Sequence, residues 1–205
     1  MNCQSSLDDP SALIIFDASV VINLNASGLF AELLSTLPNK FTVVEEVKLE
    51  LEQGRRNGHN DADALNRLIS DGLIDLIGLG EAGQNHFLAM VSGPAADTLD
   101  DGEAATIACA LERKACPVID ERKANKICDA RHPSLMKACT TDLFFHESVL
   151  KAFGQDRIAD AVFNALTRGR MRVLEQHRDA IVRLIGAERA AQCHSLPKQA
   201  RLLCQ

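Results

Sequence analysis

The chain has 205 residues, of which 46% are hydrophobic and 24% are charged, and its formal net charge is −6. This length suits one compact domain, and this composition is typical of globular proteins rather than disordered or collagen-like ones. No apolar run approaches the roughly 20 residues that a membrane helix needs, and the N-terminal residues lack the features of a signal peptide, so we expect a cytoplasmic protein with no membrane partner.

The charges are unevenly distributed along the chain. Residues 1–150 carry 12 Lys and Arg against 23 Asp and Glu, whereas residues 151–205 carry 10 against 5. A basic segment on an acidic body could contact phosphates or an acidic partner, although a solvated helix face explains the same residues equally well.

Cysteine and histidine spacing indicates neither a zinc site nor a disulfide framework. The seven cysteines include no CxxC pair, and the six histidines show no metal-binding spacing. We therefore predict buried thiols and assign no role to any histidine, including His86.

Four apolar runs of strand length alternate with stretches in which apolar residues recur at helical spacing. The predicted strands are Leu13–Phe16, Phe41–Val44, Leu73–Ile77 and Cys116–Ile119. Helix faces are marked by Val44, Val47 and Leu51, by Ala62, Leu65, Leu68 and Ile69, and by Ile107 and Leu111 in an alanine-rich helix from Asp101 to Lys114. This alternation predicts an α/β fold with three layers, in which helices cover both faces of a central parallel sheet.

The chain beyond Asp120 is largely helical in pattern. Breaks are predicted at His132-Pro133, Gly154, Gly169 and Ser195–Pro197. We therefore divide the chain into an α/β domain at residues 1–153 and a helical C-terminal extension at residues 154–205.

Acidic residues follow the predicted strands at the same end. Asp17 follows the first strand, Glu46 and Glu50 lie four apart on the helix after the second, and Asp120 and Glu121 follow the fourth. Functional groups of an open α/β sheet collect beyond the carboxyl ends of its strands, so we expect these acids to meet. Oxygen ligands without histidine or cysteine suit a hard cation, Mg²⁺ or Mn²⁺.

Helix capping is the alternative explanation for several of these acids. Asp17 and Asp120 could be N-caps, and Asp100 with Glu103 fits a capping box. A single acid of this kind is best explained as a cap. Four converging acids repel one another unless a cation neutralises them, and this favours a metal site.

Four segments in order, FDASVVINL, VVEEVKLELEQG, DDGEAATIACALER and PVIDERKA, resemble the PIN domain, the nuclease fold shared by VapC-type toxins and related ribonucleases. The resemblance covers residues 12–150 and continues more weakly to residue 170. It implies metal-binding acids at Asp17, Glu50, Glu103 and Asp120, with Ser19 supporting Asp17. Further candidate ligands are Glu46 as an alternative to Glu50, Glu121 where the family often has Asp, Asp101 and Asp142.

The function that the resemblance implies is metal-dependent hydrolysis of RNA, with Mg²⁺ or Mn²⁺ as the cofactor. Such a cation coordinates a phosphodiester oxygen, lowers the pKa of a bound water and stabilises charge on the leaving oxygen. Candidate RNA contacts are Arg55, Arg56, Arg122, Lys123, Arg168, Arg170 and Arg172, each of which solvated surface explains as well. The resemblance also implies a homodimer and, for a toxin, an antitoxin protein as partner.

Two other functions remain open. If Glu121 in place of Asp prevents cation binding, the chain is an inactive nucleic-acid-binding or interaction module on the same fold. Alternatively, Gly78, Gly80 and Gly83 in GLGEAG match the GxGxxG of a dinucleotide-binding turn. That fingerprint also needs a strand ending in an acid about 20 residues further on, and residues 92–102 predict no strand.

Overall fold

The computed structural model describes residues 4–56 and 58–197. The strands within these ranges are β1 (Leu13–Phe16), β2 (Lys40–Val44), β3 (Asp75–Ile77) and β4 (Cys116–Val118). The helices are α1 (Gln4–Leu7), α2 (Ala18–Ser27), α3 (Phe30–Thr36), α4 (Glu45–Arg56), α5 (Asp61–Ser70), α6 (Glu81–Val91), α7 (Asp101–Arg113), α8 (Arg122–Arg131), α9 (Thr140–Phe144), α10 (Glu147–Thr167), α11 (Arg178–Ile185) and α12 (Ala187–Gln192). A 3₁₀ turn at Glu175–His177 precedes α11.

The strands form one parallel sheet in the order β3-β2-β1-β4. Helices cover both faces of this sheet, which confirms the predicted three-layer α/β/α architecture. The strand residues Ile14, Ile15, Phe16 and Val43 are completely buried. A parallel sheet covered on both faces has continuous apolar strands, and this explains why the sequence pattern located them.

Three predicted strand boundaries were wrong. The second strand begins one residue earlier than predicted, at Lys40. The third strand begins at Asp75 rather than Leu73, because the N–H groups of Leu73 and Ile74 both donate to Leu68 O and close the end of α5. The fourth strand ends at Val118, since the Ile119 N–H donates to Ala138 O at 2.8 Å, beyond the β1–β4 ladder. Of the three apolar residues wrongly assigned to strands, Ile74 and Ile119 are buried by packing outside a strand.

The order of the strands places a crevice between β1 and β4. From β1 the chain continues through helices to β2 and then to β3, always outward on one side. It then returns through α6 and α7 to β4, on the other side of β1. Binding sites of open α/β sheets form where the strand order reverses in this way, beyond the carboxyl ends of the two strands.

Helix α7 is packed closely against the sheet, where it contacts β1, β2 and β4. Small side chains along it, at Ala104, Ala105 and Ala108, are fully buried and allow this close approach. The predicted inward residue Ile107 is fully buried, and Leu111 is half-buried against a second cluster of apolar residues. This packing fixes the position of the N-terminus of α7 relative to the carboxyl ends of the strands.

The C-terminal helices pack into the main core. Helix α10 is interrupted at Gly154, whose φ of 74° and ψ of 163° are not helical, at the predicted break. Beyond that residue, Ile158 and Val162 join the main cluster, and α10 packs against α2. The division of the chain at residue 154 stays a prediction, and residues 198–205 of the predicted extension lie outside the described residues.

No single helix in the described ranges is long and apolar enough to cross a membrane. Helices α2 and α3 reach that length and apolarity only together, and they are bent by 104° at the break between them.

Candidate metal centre

Asp17 is held at the tip of β1, in the crevice. It occupies the N-cap position of α2, yet its side chain makes no capping hydrogen bond there. The hydroxyl of Ser19 donates to Asp17 Oδ2 at 2.7 Å, and the residue is only 3% exposed. Capping therefore does not explain this buried carboxylate.

Asp120 lies beside Asp17, because β4 neighbours β1 and their register pairs Phe16 with Val118. Its Oδ1 accepts the Thr140 N–H at 2.8 Å. Its Oδ2 accepts the Thr140 hydroxyl at 2.6 Å and the side-chain amide of Asn23 at 2.7 Å. Three donors thus fix the orientation of a carboxylate that is 2% exposed.

Asp120 is also not a helix cap. The N-cap of α8 is Glu121, whose side chain accepts the Arg122 N–H at 3.2 Å. Glu121 also pairs with the guanidinium of Arg172. The residue that stands where the family often has Asp is therefore engaged by the C-terminal segment.

Glu50 reaches the crevice from α4 and lies over the start of α7. A β carbon added to Gly102 would overlap Glu50 Oε2 and lie 3.8 Å from Asp17 Oδ1. The absence of a side chain at Gly102 thus lets carboxylates from two elements approach the same point. Glu46, one turn earlier, has a buried Oε2 with no hydrogen-bond partner among the described residues.

Glu103 belongs to the same cluster from the first turn of α7. Its N-cap, Asp100, makes no side-chain capping bond, so the predicted capping box is not completed. Glu103 is half-buried, and Asp100 and Asp101 are exposed beside it.

The shifted pKa values of Glu50, Glu103 and Asp120 each include a contribution from the charge of Asp17. Burial raises the pKa of Asp17, and it raises the pKa of Asp120 to about 6, with a further contribution from Asp17. Partial burial raises the pKa of Glu50 to about 7, although much of that residue is exposed, and repulsion from Asp17 adds to the effect. The pKa of Glu103 is raised to about 7 by the same two causes.

No ion pair in the described part of the chain joins any of these four acids to a lysine, arginine or histidine. Several carboxylates without a basic partner are stabilised in the ionised state by a cation. Their oxygen-only donors fit a hard divalent ion such as Mg²⁺ or Mn²⁺.

Asp142 lies apart from this cluster. Its Oδ2 accepts the Cys139 N–H at 2.8 Å at the start of α9, and its Oδ1 lies 3.2 Å from His177 Nε2. The structure therefore places this lower-ranked candidate in a different group of side chains.

Three of the predicted RNA-contacting residues line clefts beside Asp120. Arg122, Arg170 and Arg172 line a cleft of about 730 Å³ together with His194. Arg170 and Arg172 also line a smaller cavity of about 220 Å³ that includes Asp120. These shared residues connect the basic cleft to the acidic cluster.

The other predicted basic residues are distributed around this region. Arg168 lines a groove of about 760 Å³ that includes Glu50. Arg55 pairs with Asp63 at 3.1 Å, and Lys123 donates to Ala95 O at 2.7 Å. Arg56 is exposed at the end of α4.

Sequence reasoning missed Asn23, Thr140 and His194. Asn23 was detectable in principle, since a polar residue that is 2% exposed interrupts the apolar face of α2. Nothing in the local pattern marks Thr140 as a partner of a residue 20 positions earlier.

The glycine-rich turn GLGEAG packs against a side chain of its own chain. Glu112 of α7 accepts the N–H of Gly80 at 3.1 Å and of Gly83 at 3.0 Å. A β carbon at Gly80 would overlap the Glu112 carboxylate. The amides that would hold a pyrophosphate at the start of α6 are thus occupied by an acid, and residues 92–102 contain no strand. The structure does not support the dinucleotide-binding alternative.

Comparisons with known proteins agree with this geometry. A family model described as DUF3368, a PIN domain, matches residues 13–187. No curated protein and no solved structure matches the chain. The matched range includes all four clustered acids and most of the chain, and the chain therefore belongs to the PIN-domain family.

Proposed function

We propose that this protein is a divalent-metal-dependent endoribonuclease. The PIN domain is a nuclease-type fold. The observation that supports the proposal is the placement of Glu50, Glu103 and Asp120 around Asp17, whose charge raises the pKa of each of them, with no basic partner for any of the four among the described residues. In a protein without a metal site, we would expect these carboxylates to lie far apart or to be paired with basic side chains, because like charges repel.

The four acids would hold the cation, with Glu46 as a further oxygen donor. When bound, Mg²⁺ or Mn²⁺ supplies an activated water and stabilises the charge that develops on the phosphodiester. Ser19 orients Asp17, and Thr140 orients Asp120 through two hydrogen bonds. Such supporting contacts fix the direction in which a carboxylate presents its oxygens.

The basic cleft supports RNA as the substrate. Arginines at positions 122, 170 and 172 surround a space that opens from Asp120, in a protein whose net charge is −6. Guanidinium groups bind phosphates without reading bases, so this cleft would position the backbone of RNA and leave its sequence to other contacts.

The direct test is incubation of the purified protein with total RNA and Mn²⁺. We expect cleavage by the wild-type protein and loss of cleavage in Asp17→Asn and Asp120→Asn. The matched control is Asp71→Asn, which changes an exposed acid at the end of α5. Equal cleavage by all four proteins, or by none, would contradict the proposal.

A second candidate function is a binding module that does not cut RNA. The pairing of Glu121 with Arg172 supports it, because that contact takes one acid away from a cation. Thermal melting with Mn²⁺ separates the two, since an ion that binds the native state raises its melting temperature. RNA binding with no Mn²⁺ shift would favour the module.

The remaining parts of the proposal follow from the family resemblance. They are a homodimer and, if the protein is a toxin, a cognate antitoxin. Gel filtration with light scattering would test the dimer, and co-purification from the native source would test the antitoxin.

A further inference from the structure

A second group of potential metal ligands lies between α9 and the 3₁₀ turn. The Sγ of Cys139, a carboxylate oxygen of Asp142 and a ring nitrogen of His177 all lie within 4.8 Å of one another. Cys139 is the N-cap of α9, Asp142 is in its first turn, and His177 ends the turn at Glu175–His177. Two elements from different regions of the sequence thus bring three donor atoms to one place.

This place is shielded from water. Cys139 is 1% exposed and Asp142 is 7% exposed, and the side chain of His177 is 20% exposed. Charged and polar atoms in such surroundings need partners.

Local helix capping explains only part of the arrangement. Asp142 Oδ2 accepts the Cys139 N–H at 2.8 Å, and the Cys139 side chain accepts the Asp142 N–H, so the two residues form a capping box at the start of α9. The other oxygen, Oδ1, is 3.2 Å from His177 Nε2. That nitrogen is buried and makes no hydrogen bond of acceptable geometry within the described residues. A ring nitrogen whose one partner here is the Asp142 carboxylate, and which lies within 4.8 Å of a thiol, belongs to a set of donor atoms that can hold a metal ion.

We propose that Cys139, Asp142 and His177 bind a transition-metal ion, with Zn²⁺ as the best fit. Zinc takes sulfur, nitrogen and oxygen ligands in tetrahedral geometry, and two ligands each about 2.0 Å from such an ion lie roughly 3.3 Å apart. The observed separation of 3.2 Å between Asp142 Oδ1 and His177 Nε2 agrees with this geometry. Binding replaces the thiol proton of Cys139, which passes to solvent, and leaves a fourth position for water.

This site differs in chemistry from the carboxylate centre and does not depend on the proposed nuclease activity. A thiolate and an imidazole select a softer metal than four carboxylates do. The site is also linked to that centre through the chain, because Cys139 precedes Thr140, whose N–H and hydroxyl hold Asp120. The ion would tie the turn before α11 to α9 and fix Thr140 in place.

The test is titration of the metal-free protein with Co²⁺, followed by absorption spectroscopy. We expect one equivalent to produce a thiolate-to-cobalt charge-transfer band and the visible bands of a tetrahedral centre, both removed by Zn²⁺. Cys139→Ser should lose the charge-transfer band, and His177→Gln should weaken Co²⁺ binding at least tenfold.

Two controls separate this site from other cysteines and from the nuclease centre. Cys128→Ser changes a cysteine of α8 that is also 1% exposed, and it should keep the band. Asp17→Asn should keep it as well, whether or not RNA is cut. Absence of a charge-transfer band in the wild-type protein would overturn the proposal without any variant, and so would an unchanged band in Cys139→Ser.

Discussion

The carboxylate of Glu50 lies against the backbone of Gly102, so that α4 and α7 meet where a side chain would otherwise stand. We expect Gly102→Ala to displace Glu50 and to reduce Mn²⁺-dependent cleavage at least tenfold. Stability should change little, because alanine favours a helix over glycine by up to about 1 kcal/mol and offsets part of the strain. Cleavage rates and melting temperatures measured on the same samples would show whether activity is lost while stability is kept.

The matched control for that variant is Gly54→Ala. Gly54 is also helical, and a β carbon added there meets nothing within 4 Å. Its cleavage rate should equal that of the wild-type protein. A similar loss of activity in both variants would show that Gly102 has no special role.

The crowded acids are expected to make the stability of the folded protein depend on pH. The pKa of Glu50 and of Glu103 is raised from 4.5 to about 7, so each group binds more protons in the folded chain than in the unfolded one. Their stabilising contribution is complete below pH 4.5 and is lost as the pH rises through about 7. The melting temperature of the metal-free protein should therefore decrease over this interval because of these groups.

The role of these two acids can be tested by comparing the pH dependence of the melting temperature in the wild-type, substituted and metal-loaded proteins. Glu103→Gln should flatten the decrease, and saturating Mn²⁺ should abolish it, because the cation stabilises the ionised acids. Melting curves between pH 4.5 and pH 7.5, in EDTA for the two metal-free proteins and in Mn²⁺ without EDTA for the metal-loaded one, would measure both effects. An identical slope in the wild-type and Glu103→Gln proteins would reject the explanation.

Thr140 is expected to support Asp120 through its hydroxyl. Thr140→Val keeps the shape and the N–H donor but removes the 2.6 Å bond to Asp120 Oδ2. Loss of a hydrogen bond to a buried carboxylate costs roughly 1.5–3 kcal/mol. We expect urea unfolding to show a loss of this size, together with slower cleavage.

Thr106→Val provides a matched comparison. Thr106 is fully buried in α7, and its hydroxyl has no hydrogen-bond partner among the described residues. The same substitution there should be neutral or stabilising, since it removes an unsatisfied polar atom. Equal effects at both positions would mean that the hydroxyl of Thr140 does not act on Asp120.

Arg170 and Arg172 are expected to bind RNA phosphates. In an Asp120→Asn background, which prevents cleavage, replacing either with Gln should weaken single-stranded RNA binding. The slope of log K against log salt concentration should decrease by about 0.7 for each lost phosphate contact. Fluorescence anisotropy at several salt concentrations would measure it.

Arg157→Gln is the appropriate control for the RNA experiment. Arg157 is an exposed arginine of α10 that pairs with Glu32, and it lines none of the clefts around Asp120 described above. Its substitution should leave affinity and salt slope unchanged. A uniform effect of all three substitutions would indicate only a loss of overall charge.

The fold and the two sheet-end acids could be predicted from sequence for a clear reason. Buried parallel strands are continuous apolar runs, and the residue after such a run lies at the edge where the strands end. Asp17 and Asp120 follow from this rule alone. The rule gave the wrong start for the third strand, because Ile74, an apolar residue buried in a turn, has the same local sequence pattern as a strand residue.

Contacts between residues that are distant in the sequence could not be predicted from local sequence patterns. Asn23 and Asp120 are 97 positions apart, and only the β1–β4 pairing brings them together. The glycines of GLGEAG also gave no indication of Glu112, which follows Gly80 by 32 positions. Their spacing suggested a phosphate site, whereas the partner of the turn is a carboxylate of α7.

The order of the strands has a consequence for when the acidic centre comes into existence. Asp17, Glu50 and Glu103 emerge first during synthesis, whereas Asp120 follows the fourth strand, which lies against the first. The donors that hold Asp120 also include Thr140, which is made later still. A nascent or truncated chain that ends before residue 140 therefore lacks the hydrogen bonds that orient Asp120, and the acidic centre can be completed only after most of the chain has been synthesised.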